Sequence, residues 1–351
     1  MPRFPSPAQF RPHLLTALVA TTGGAVFWWL HIPLPWMLGA LAATGLLAWN
    51  GHAAVAWPIR PIALILLGLG LGQTFTPSVM AAVGLALPWL VVAAVLSILA
   101  GAMVAKLFAR LAGTDAQTGY YASVPGGVIV MAILAQRAGV SATPVILSQT
   151  IRVILVVAIV PAAVTLLIGR GEGGAFLTDR PEVRLAGLAA LAVAGLGVAY
   201  LGHRFGLANP WMLGPCALVI ALAAFDALPS GVPMWMLDAA QVGLGMALGL
   251  RLNRERLLSA RRLVVAAAAT TLLLGVVMVV LAVGLAWLGR LPVGATVLGM
   301  APGGMPEMAI TAKTLEVGVP LVLGFHLVRT LLANLFVSSI WRVAVRLGLA
   351  R

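Results

Sequence analysis

Apolar runs close to the length of a bilayer crossing recur along the whole sequence, and they constrain the fold more than any other feature. A transmembrane helix needs about 20 consecutive, mostly apolar residues. The chain has 351 residues, of which 62% are apolar and 9% charged, and its mean hydropathy is +1.07. A soluble domain of this composition would expose far more apolar surface than soluble proteins carry. The sequence therefore predicts an all-α, polytopic membrane protein.

Two stretches of the sequence resemble each other. Residues 123–152 read SVPGGVIVMAILAQRAGVSATPVILSQTIR, and residues 301–329 read APGGMPEMAITAKTLEVGVPLVLGFHLVR. A shift of 177 positions brings identical residues into register, among them Pro125 with Pro302, Gly126 with Gly303, Gly127 with Gly304, Met131 with Met308, Ala132 with Ala309 and Arg152 with Arg329. Similarity at a fixed offset is the signature of an internal repeat.

Other phrases recur in the same order at an offset of 175. The string PWMLG occupies residues 35–39 and 210–214, and glycine-rich segments follow each copy. These matches predict two homologous halves, residues 1–168 and 185–351, joined by a polar linker at residues 169–184. Each half is predicted to hold five to six transmembrane helices.

The number of crossings decides how the halves are oriented. Six crossings per half would give both halves the same orientation, and five would invert one of them, as in many secondary transporters. A count of twelve crossings from a cytoplasmic N-terminus places an arginine cluster outside, although basic loops favour the cytoplasm. Either one segment is re-entrant or the cluster lies on an interfacial helix; its members are Arg251, Arg254, Arg256, Arg261 and Arg262.

Each Pro-Gly-Gly triplet predicts a broken helix within an apolar segment. Proline removes an amide donor and glycine weakens the adjoining helix. Non-helical backbone at membrane depth is tolerated only where it is buried in protein or lines a watery cavity. New helices beginning near Val128 and Met305 would present free amides that favour an anion. The alternative is a pair of proline kinks that only shape packing.

Two arginines near the middle of the last apolar segment of each half are candidates for function, because charges within membrane segments are costly. These are Arg152 and Arg329. The alternative is that each is a structural cation that binds carbonyls at the end of the broken helix. The predicted substrate-binding set comprises Pro125, Gly126, Gly127, Arg152, Pro302, Gly303, Gly304 and Arg329.

The second half carries ionisable groups that the first half lacks. Glu307 corresponds to Val130, and His326 corresponds to Gln149. Histidine titrates near neutral pH, and a carboxylate in the first turn after a break could carry a proton. Glu307 and His326 are therefore the predicted proton-coupling residues. A structural ion pair that includes Arg329 is the alternative.

Several classes of function receive no support from the sequence. The five histidines are dispersed, Cys216 is the single cysteine, and neither a metal constellation nor a nucleophile motif is visible. We therefore expect no metal, no cofactor and no enzymatic activity. The net charge of +13 comes from arginines between apolar segments, which suits lipid headgroups and not direct binding of nucleic acid.

At the Pro-Gly-Gly stretches, the PWMLG phrases and the closing FHLVRTLLAN, the sequence resembles the AbrB family of duplicated membrane proteins from Gram-negative bacteria. The resemblance covers nearly the whole chain. Members are often named ammonia monooxygenase or transcriptional regulator, and the family is linked to regulation of gene expression. The residues give neither name a mechanism, because copper ligands are missing and regulation would need an indirect route.

More remotely, the layout is similar to the cation/proton antiporter and anion transporter superfamily, whose two repeats carry broken helices that cross at mid-membrane. That group's usual pair of acidic ion ligands is missing here, because the first half has no acid near its break. The resemblance therefore implies an anion carrier, coupled to protons through Glu307 or His326, and not a sodium-coupled carrier.

The predicted function is secondary transport of a small anionic solute across the bacterial inner membrane, with indirect effects on gene expression. A membrane sensor or regulatory protein without transport is the first alternative. An intramembrane enzyme that depends on Glu307 or His326 is the second. Membrane lipid is an expected partner, and a homo-oligomer is left open.

Overall fold

The computed structural model describes residues 7–56, 58–167, 182–207, 209–225 and 227–346. Throughout these ranges the regular secondary structure is α-helical, with no strand. Most of the predicted linker, residues 169–181, lies outside the described residues. Within the described residues, five helices are long and apolar enough to cross a membrane. The chain is therefore an all-α, polytopic membrane protein.

The helices of the first half closely follow the apolar runs. They are α1 (Pro7–Trp29), α2 (Pro35–Trp49), α3 (Ile59–Gly72), α4 (Pro77–Ala112), α5 (Ala116–Ser123), α6 (Val128–Arg137) and α7 (Ala142–Leu167). The second half contains α8 (Leu185–Arg204), α9 (Pro210–Ala224), α10 (Met234–Gly249), α11 (Arg254–Ser259), α12 (Arg261–Gly289), α13 (Val293–Met300), α14 (Met305–Thr314) and α15 (Val319–Arg346).

Two compact units divide the chain, and neither coincides with a predicted half. The first unit comprises Met1–Met80 and Leu177–Leu258, and the second comprises Ala81–Phe176 and Ser259–Arg351. Each unit therefore combines helices from both halves of the sequence.

In the first unit, α3 packs on α9 and α10 packs on α2. A Cβ built on Gly68 would lie 2.3 Å from the carbonyl oxygen of Met212, and one built on Gly245 would lie 2.4 Å from that of Met37. Small residues allow such close approach of helix backbones. The glycine-rich helix of each half thus packs closely against the PWMLG helix of the other half.

The PWMLG phrase adopts the same local backbone in both halves. Leu34 and Asn209, which precede the two phrases, are both left-handed, with φ of 51° and 50°. Pro35 and Pro210 then occupy the first turns of α2 and α9, where a missing amide hydrogen costs nothing. Both phrases therefore begin a helix at their proline.

In the second unit, α5 and α6 form a helical hairpin. Gln117, in the first turn of α5, donates from Nε2 to the carbonyl oxygen of Ala138, the residue after α6, at 3.3 Å. Helices of 8 and 10 residues would separate these groups by roughly 25 Å if they continued in one direction, given a rise of about 1.5 Å per residue. The chain therefore turns back at the Pro-Gly-Gly triplet. Helices α13 and α14 have the same two lengths, and they also contact each other.

Candidate functional site

Both Pro-Gly-Gly triplets lie between helices of the second unit. Helix α5 ends at Ser123 and α6 begins at Val128, so residues 124–127 form what we term the first break. Helix α13 ends at Met300 and α14 begins at Met305, so residues 301–304 form the second break. Pro125 and Pro302 are buried. A Cβ built on Gly101 of α4 would lie 2.8 Å from Cδ of Pro125, so the first break also packs tightly against α4.

Two side chains of α7 bind the carboxyl end of α5. Arg152 donates from Nη1 to the carbonyl oxygens of Ser123 and Val124, at 3.1 and 3.4 Å. Gln149 donates from Nε2 to the carbonyl oxygens of Tyr121, Ala122 and Val124, at 3.0–3.2 Å, and its Oε1 accepts from Nη2 of Arg152. The last carbonyls of a helix lack partners within the helix and carry partial negative charge. A buried cation and an amide therefore satisfy them here.

Helix α15 binds the carboxyl end of α13 in the same way. Arg329 donates from Nη1 to the carbonyl oxygens of Met300 and Ala301, at 3.3 and 2.8 Å. Its Nη2 donates to the carbonyl oxygen of Gly303 at 3.2 Å and to Nδ1 of His326 at 2.8 Å. His326 in turn bonds through Nε2 to the carbonyl oxygen of Leu298, at 3.2 Å.

These contacts give His326 the role that Gln149 has in the first half. An arginine cannot accept a hydrogen bond, so Nδ1 of His326 is the acceptor and Nε2 carries the hydrogen. The neutral imidazole, like the amide of Gln149, then accepts from the arginine on one side and donates to a helix-end carbonyl on the other. The sequence showed that these positions correspond but not that the two side chains make equivalent bonds.

The two breaks exchange contacts with each other's last helix. A Cβ built on Gly126 would lie 3.4 Å from Cβ of Ala333 in α15, and one built on Gly303 would lie 2.9 Å from Cγ1 of Val156 in α7. The offset of 177 relates Gly126 to Gly303 and also Val156 to Ala333. A two-fold pseudosymmetric arrangement would produce this exchange. Arg152 and Arg329 are both buried, with 4% and 5% of their surface exposed.

The breaks differ at their second glycine, Gly127 in the first and Gly304 in the second. Gly127 has φ of 85°, a conformation that favours glycine, and a Cβ built on it would meet no atom within 4 Å. Gly304 has φ of −79°, and a Cβ built there would lie 2.0 Å from Oε2 of Glu307. The first break is therefore open at this position, whereas the Glu307 carboxylate fills the second.

Glu307 lies in the first turn of α14 and is 3% exposed. Its carboxylate folds back over Gly304, beside the partial positive charge of the helix N-terminus. Arg329 uses its guanidinium for carbonyls and His326, and the described residues contain no ion pair between Glu307 and Arg329. The structural ion pair considered from the sequence is thus not formed.

Two buried donors near the first break have no hydrogen-bond partner among the described residues. They are the hydroxyl of Ser123 and Nε of Arg152. Ser123 is the last residue of α5, and sequence reasoning missed it because a serine ending an apolar helix is unremarkable without its surroundings. A buried donor without a partner costs about 1–3 kcal/mol, so these groups are candidates for contacting a solute or water. No group of three or more histidine, cysteine, aspartate or glutamate residues in the described chain could hold a metal ion.

Comparison with known proteins agrees with the architecture of the chain. The family model described as "Transition state regulatory protein AbrB" matches residues 36–344. Uncharacterized protein YhjN of Bacillus subtilis strain 168 is 27% identical over 351 aligned residues, which cover 93% of this chain and 91% of the relative. "Putative regulator AbrB" of Escherichia coli strain K12 is 24% identical over 305 residues, covering 85% of this chain and 86% of the relative. With this match and its all-helical membrane architecture, the chain belongs to the AbrB family.

Proposed function

We propose that the protein is a secondary transporter of a small anionic solute in the bacterial inner membrane, with its solute site at the first break. The observation that carries this proposal is the carboxylate of Glu307 beside Gly304 in the second break, whereas a Cβ built on Gly127 in the first break would meet no atom within 4 Å. In the second break, the anion is the carboxylate of Glu307, which is covalently part of the chain. The corresponding part of the first break is therefore suited to an anion from solution.

The electrostatics of the two breaks favour this reading. The site contains two buried guanidinium groups, those of Arg152 and Arg329, and one buried carboxylate, that of Glu307. The arginines offset the negative helix ends of α5 and α13, and the amides that begin α6 and α14 add partial positive charge. The balance of these charges is positive, which favours an anionic solute.

The donors without partners supply specific contacts for such a solute. The Ser123 hydroxyl and Nε of Arg152 are buried and make no bond within the described residues. Hydrogen bonds to a charged acceptor are about twice as strong as those between neutral groups. An anion bound at the first break would therefore recover the cost of burying these donors.

The hairpin geometry supports a transporter topology. If both hairpins enter and leave on one side, each half crosses the membrane five times, and the halves are inverted as in many secondary transporters. With five crossings per half, the arginine cluster lies on the same side of the membrane as Arg11. This count therefore agrees with the rule that basic loops favour the cytoplasm.

Within this proposal, Glu307 is the coupling group. Its carboxylate has no ion-pair partner in the described structure, so gain or loss of a proton changes the charge of the site directly. Both ring nitrogens of His326 form hydrogen bonds, Nε2 with the end of α13 and Nδ1 with Arg329. Protonation of Nδ1 would place its hydrogen against the N–H group that Arg329 donates. Proton coupling through His326 stays a prediction, and the geometry favours Glu307 for that role.

The test is charge displacement by the purified protein in liposomes on a solid-supported membrane. Jumps in a panel of inorganic anions and small monocarboxylates should produce a transient current for at least one anion. Ser123→Ala should weaken its apparent affinity at least tenfold, whereas Ser97→Ala, a buried serine of α4, should leave it unchanged. Arg152→Gln and Arg329→Gln should abolish transport, and size-exclusion chromatography would check that both variants remain folded.

The same experiment separates transport from the alternative that the relatives' names suggest. A regulator or sensor would bind an anion, measured by calorimetry, without any current, and it would need a partner protein. Effects on gene expression through transport would instead arise from the transported solute and disappear in the Ser123 and arginine variants. Unchanged currents in both arginine variants would contradict the assignment of the site.

A further inference from the structure

A cavity of about 640 Å³ lies at the opposite end of the α5–α6 hairpin from the first break. This volume is in the range of sites that take drug-sized ligands. The cavity lies wholly within the second unit, between the hairpin and the carboxyl-terminal part of α15. Its lining consists of Gln117, Tyr121, Leu134, Arg137, Ala138, Ser338, Trp341, Arg342, Val345 and Arg346.

Among the described residues, the charged side chains that line this cavity are all positive. They are Arg137, Arg342 and Arg346, and none of the described lining residues is acidic. Arg342 bonds through Nη2 to Oγ of Ser339 at 3.1 Å; this acceptor is neutral, and the part of the chain that the structure describes holds no ion pair of Arg342. Arg137 and Arg346 lie in the last turns of α6 and α15, where the helix dipole favours a cation. Three guanidinium groups around one cavity favour an oxyanion, because each can present paired donors to it.

Aromatic side chains form the wall of the cavity behind these arginines, and ring contacts and hydrogen bonds hold them in place. The ring centroids of Trp341 and Tyr120 are 5.1 Å apart, and the Tyr120 hydroxyl donates to the carbonyl oxygen of Val337 at 2.9 Å. The Tyr121 hydroxyl is 3.4 Å from Oγ of Ser338. The lining therefore combines a rigid apolar wall with hydroxyl groups and arginines, which suits an organic anion better than a bare inorganic one.

The cavity is separate from the two breaks but shares the hairpin with them. Helix α6 runs for 10 residues from the first break to Arg137, a distance of about 15 Å at the usual helical rise. The hydrogen bond between Gln117 and Ala138 closes the hairpin at the cavity. A ligand that bridges Arg137 and Arg342 would tie the base of the hairpin to α15.

We propose that this cavity is a second anion site, which binds a phosphate group carried on an organic body and restrains the hairpin against α15. The phosphate could belong to a lipid headgroup or to a soluble phosphate ester, because the two share the chemistry that the arginines recognise. The proposal does not depend on transport at the first break.

The test measures binding of three probes to the detergent-purified protein by isothermal titration calorimetry: dihexanoyl phosphatidic acid, dihexanoyl phosphatidylcholine and glycerol 3-phosphate. We expect at least one of the two anionic probes to bind and the zwitterionic lipid to bind at least tenfold more weakly than phosphatidic acid. The double variant Arg137→Gln/Arg342→Gln should lose at least tenfold in affinity. Arg204→Gln, an exposed arginine at the end of α8, is the matched control and should bind as the wild type does.

The outcomes identify the source of the phosphate. Binding of phosphatidic acid alone would indicate a lipid headgroup, and binding of glycerol 3-phosphate with similar affinity would indicate a soluble ester. Absence of binding by both anionic probes, or equal binding by the double variant, would overturn the proposal. Size-exclusion chromatography confirms that the double variant is folded; should it aggregate, Arg346→Gln, in the last turn of α15, replaces it and should also weaken binding.

Discussion

Arg329 donates from Nη2 to Nδ1 of His326 at 2.8 Å, and this bond makes the imidazole a neutral acceptor. The ring then donates from Nε2 to the carbonyl oxygen of Leu298. In the first half, the amide of Gln149 accepts from Arg152 and donates to the end of α5. The side chains at these corresponding positions thus differ in chemistry but make the same pair of bonds.

The first prediction follows from this equivalence. His326→Gln should keep the thermal unfolding temperature and the pH dependence of transport close to those of the wild type, because glutamine can make both bonds. His326→Ala should lower stability by about 1–3 kcal/mol, since it leaves buried groups without partners. Thermal unfolding in detergent measures the stability of both variants. Currents recorded at a series of pH values measure the pH dependence of transport. A changed pH dependence of transport in His326→Gln would instead indicate that His326 takes part in proton coupling.

The second prediction contrasts Gly127 and Gly304, the second glycines of the two breaks. Gly127→Ala should destabilise the protein by about 1–2 kcal/mol, because alanine is strained at a φ of 85° although the space beside it is open. Gly304→Ala should cost less, since its φ is −79° and its new methyl group meets only the movable end of Glu307.

Gly304→Ala should nevertheless alter function, because it moves the Glu307 carboxylate away from the start of α14. We expect a shift in the pH dependence of transport for Gly304→Ala but not for Gly127→Ala. Thermal unfolding and currents recorded across a pH series test both halves of this prediction. If Gly127→Ala and Gly304→Ala lost equal stability, the difference in backbone conformation between the two breaks would be contradicted.

The third prediction concerns helix packing in the first unit. Gly68→Ala should lower stability by about 1–3 kcal/mol, because its Cβ would lie 2.3 Å from the carbonyl oxygen of Met212, a backbone atom. Gly197→Ala is the matched control: it lies within α8 and its Cβ would meet no atom within 4 Å. That variant should be neutral or slightly stabilising, since alanine favours helices over glycine by about 1 kcal/mol. Thermal unfolding of the two variants should therefore shift in different directions.

The fourth prediction concerns Asp115, which lies between α4 and α5. Its Oδ1 accepts from the backbone nitrogen of Thr118 at 2.7 Å, and its Oδ2 accepts from the Thr118 hydroxyl at 2.6 Å. Burial acts to raise the pKa of this carboxyl, but the hydrogen bonds from Thr118 and the backbone outweigh it and hold the pKa below the usual value of 3.8.

Because the pKa of Asp115 is lower in the folded state, its charged form contributes stability above the unfolded pKa, and this contribution is lost as the pH falls through the folded pKa. Asp115→Ala should cost about 1 kcal/mol near neutral pH, as loss of a helix cap does. Asp115→Asn keeps a capping oxygen and should cost less. The difference between wild type and Asp115→Ala should shrink below about pH 4 in thermal unfolding; a constant difference down to about pH 2 would refute the charge contribution.

The sequence by itself determined the membrane class, the helices and the places where two of them are interrupted. Apolar runs of sufficient length must become helices in a bilayer because the backbone finds no other partners there, and proline followed by two glycines cannot continue such a helix. The offset of 177 also identified Arg152 and Arg329 as a matched pair before any geometry was known. These features follow from local runs of residues and from the repeat in the sequence, and they need no knowledge of three-dimensional contacts.

Only the tertiary structure decided what the interruptions do. The bond from Gln117 to Ala138 shows that the chain turns back at the first break, and the arginines prove to bind helix-end carbonyls. The unsatisfied Ser123 hydroxyl, the open space beside Gly127 and the position of the Glu307 carboxylate are equally invisible in the sequence. The physical reason is that direction, burial and hydrogen bonding depend on contacts between residues distant in the chain, which local patterns of hydrophobicity do not encode.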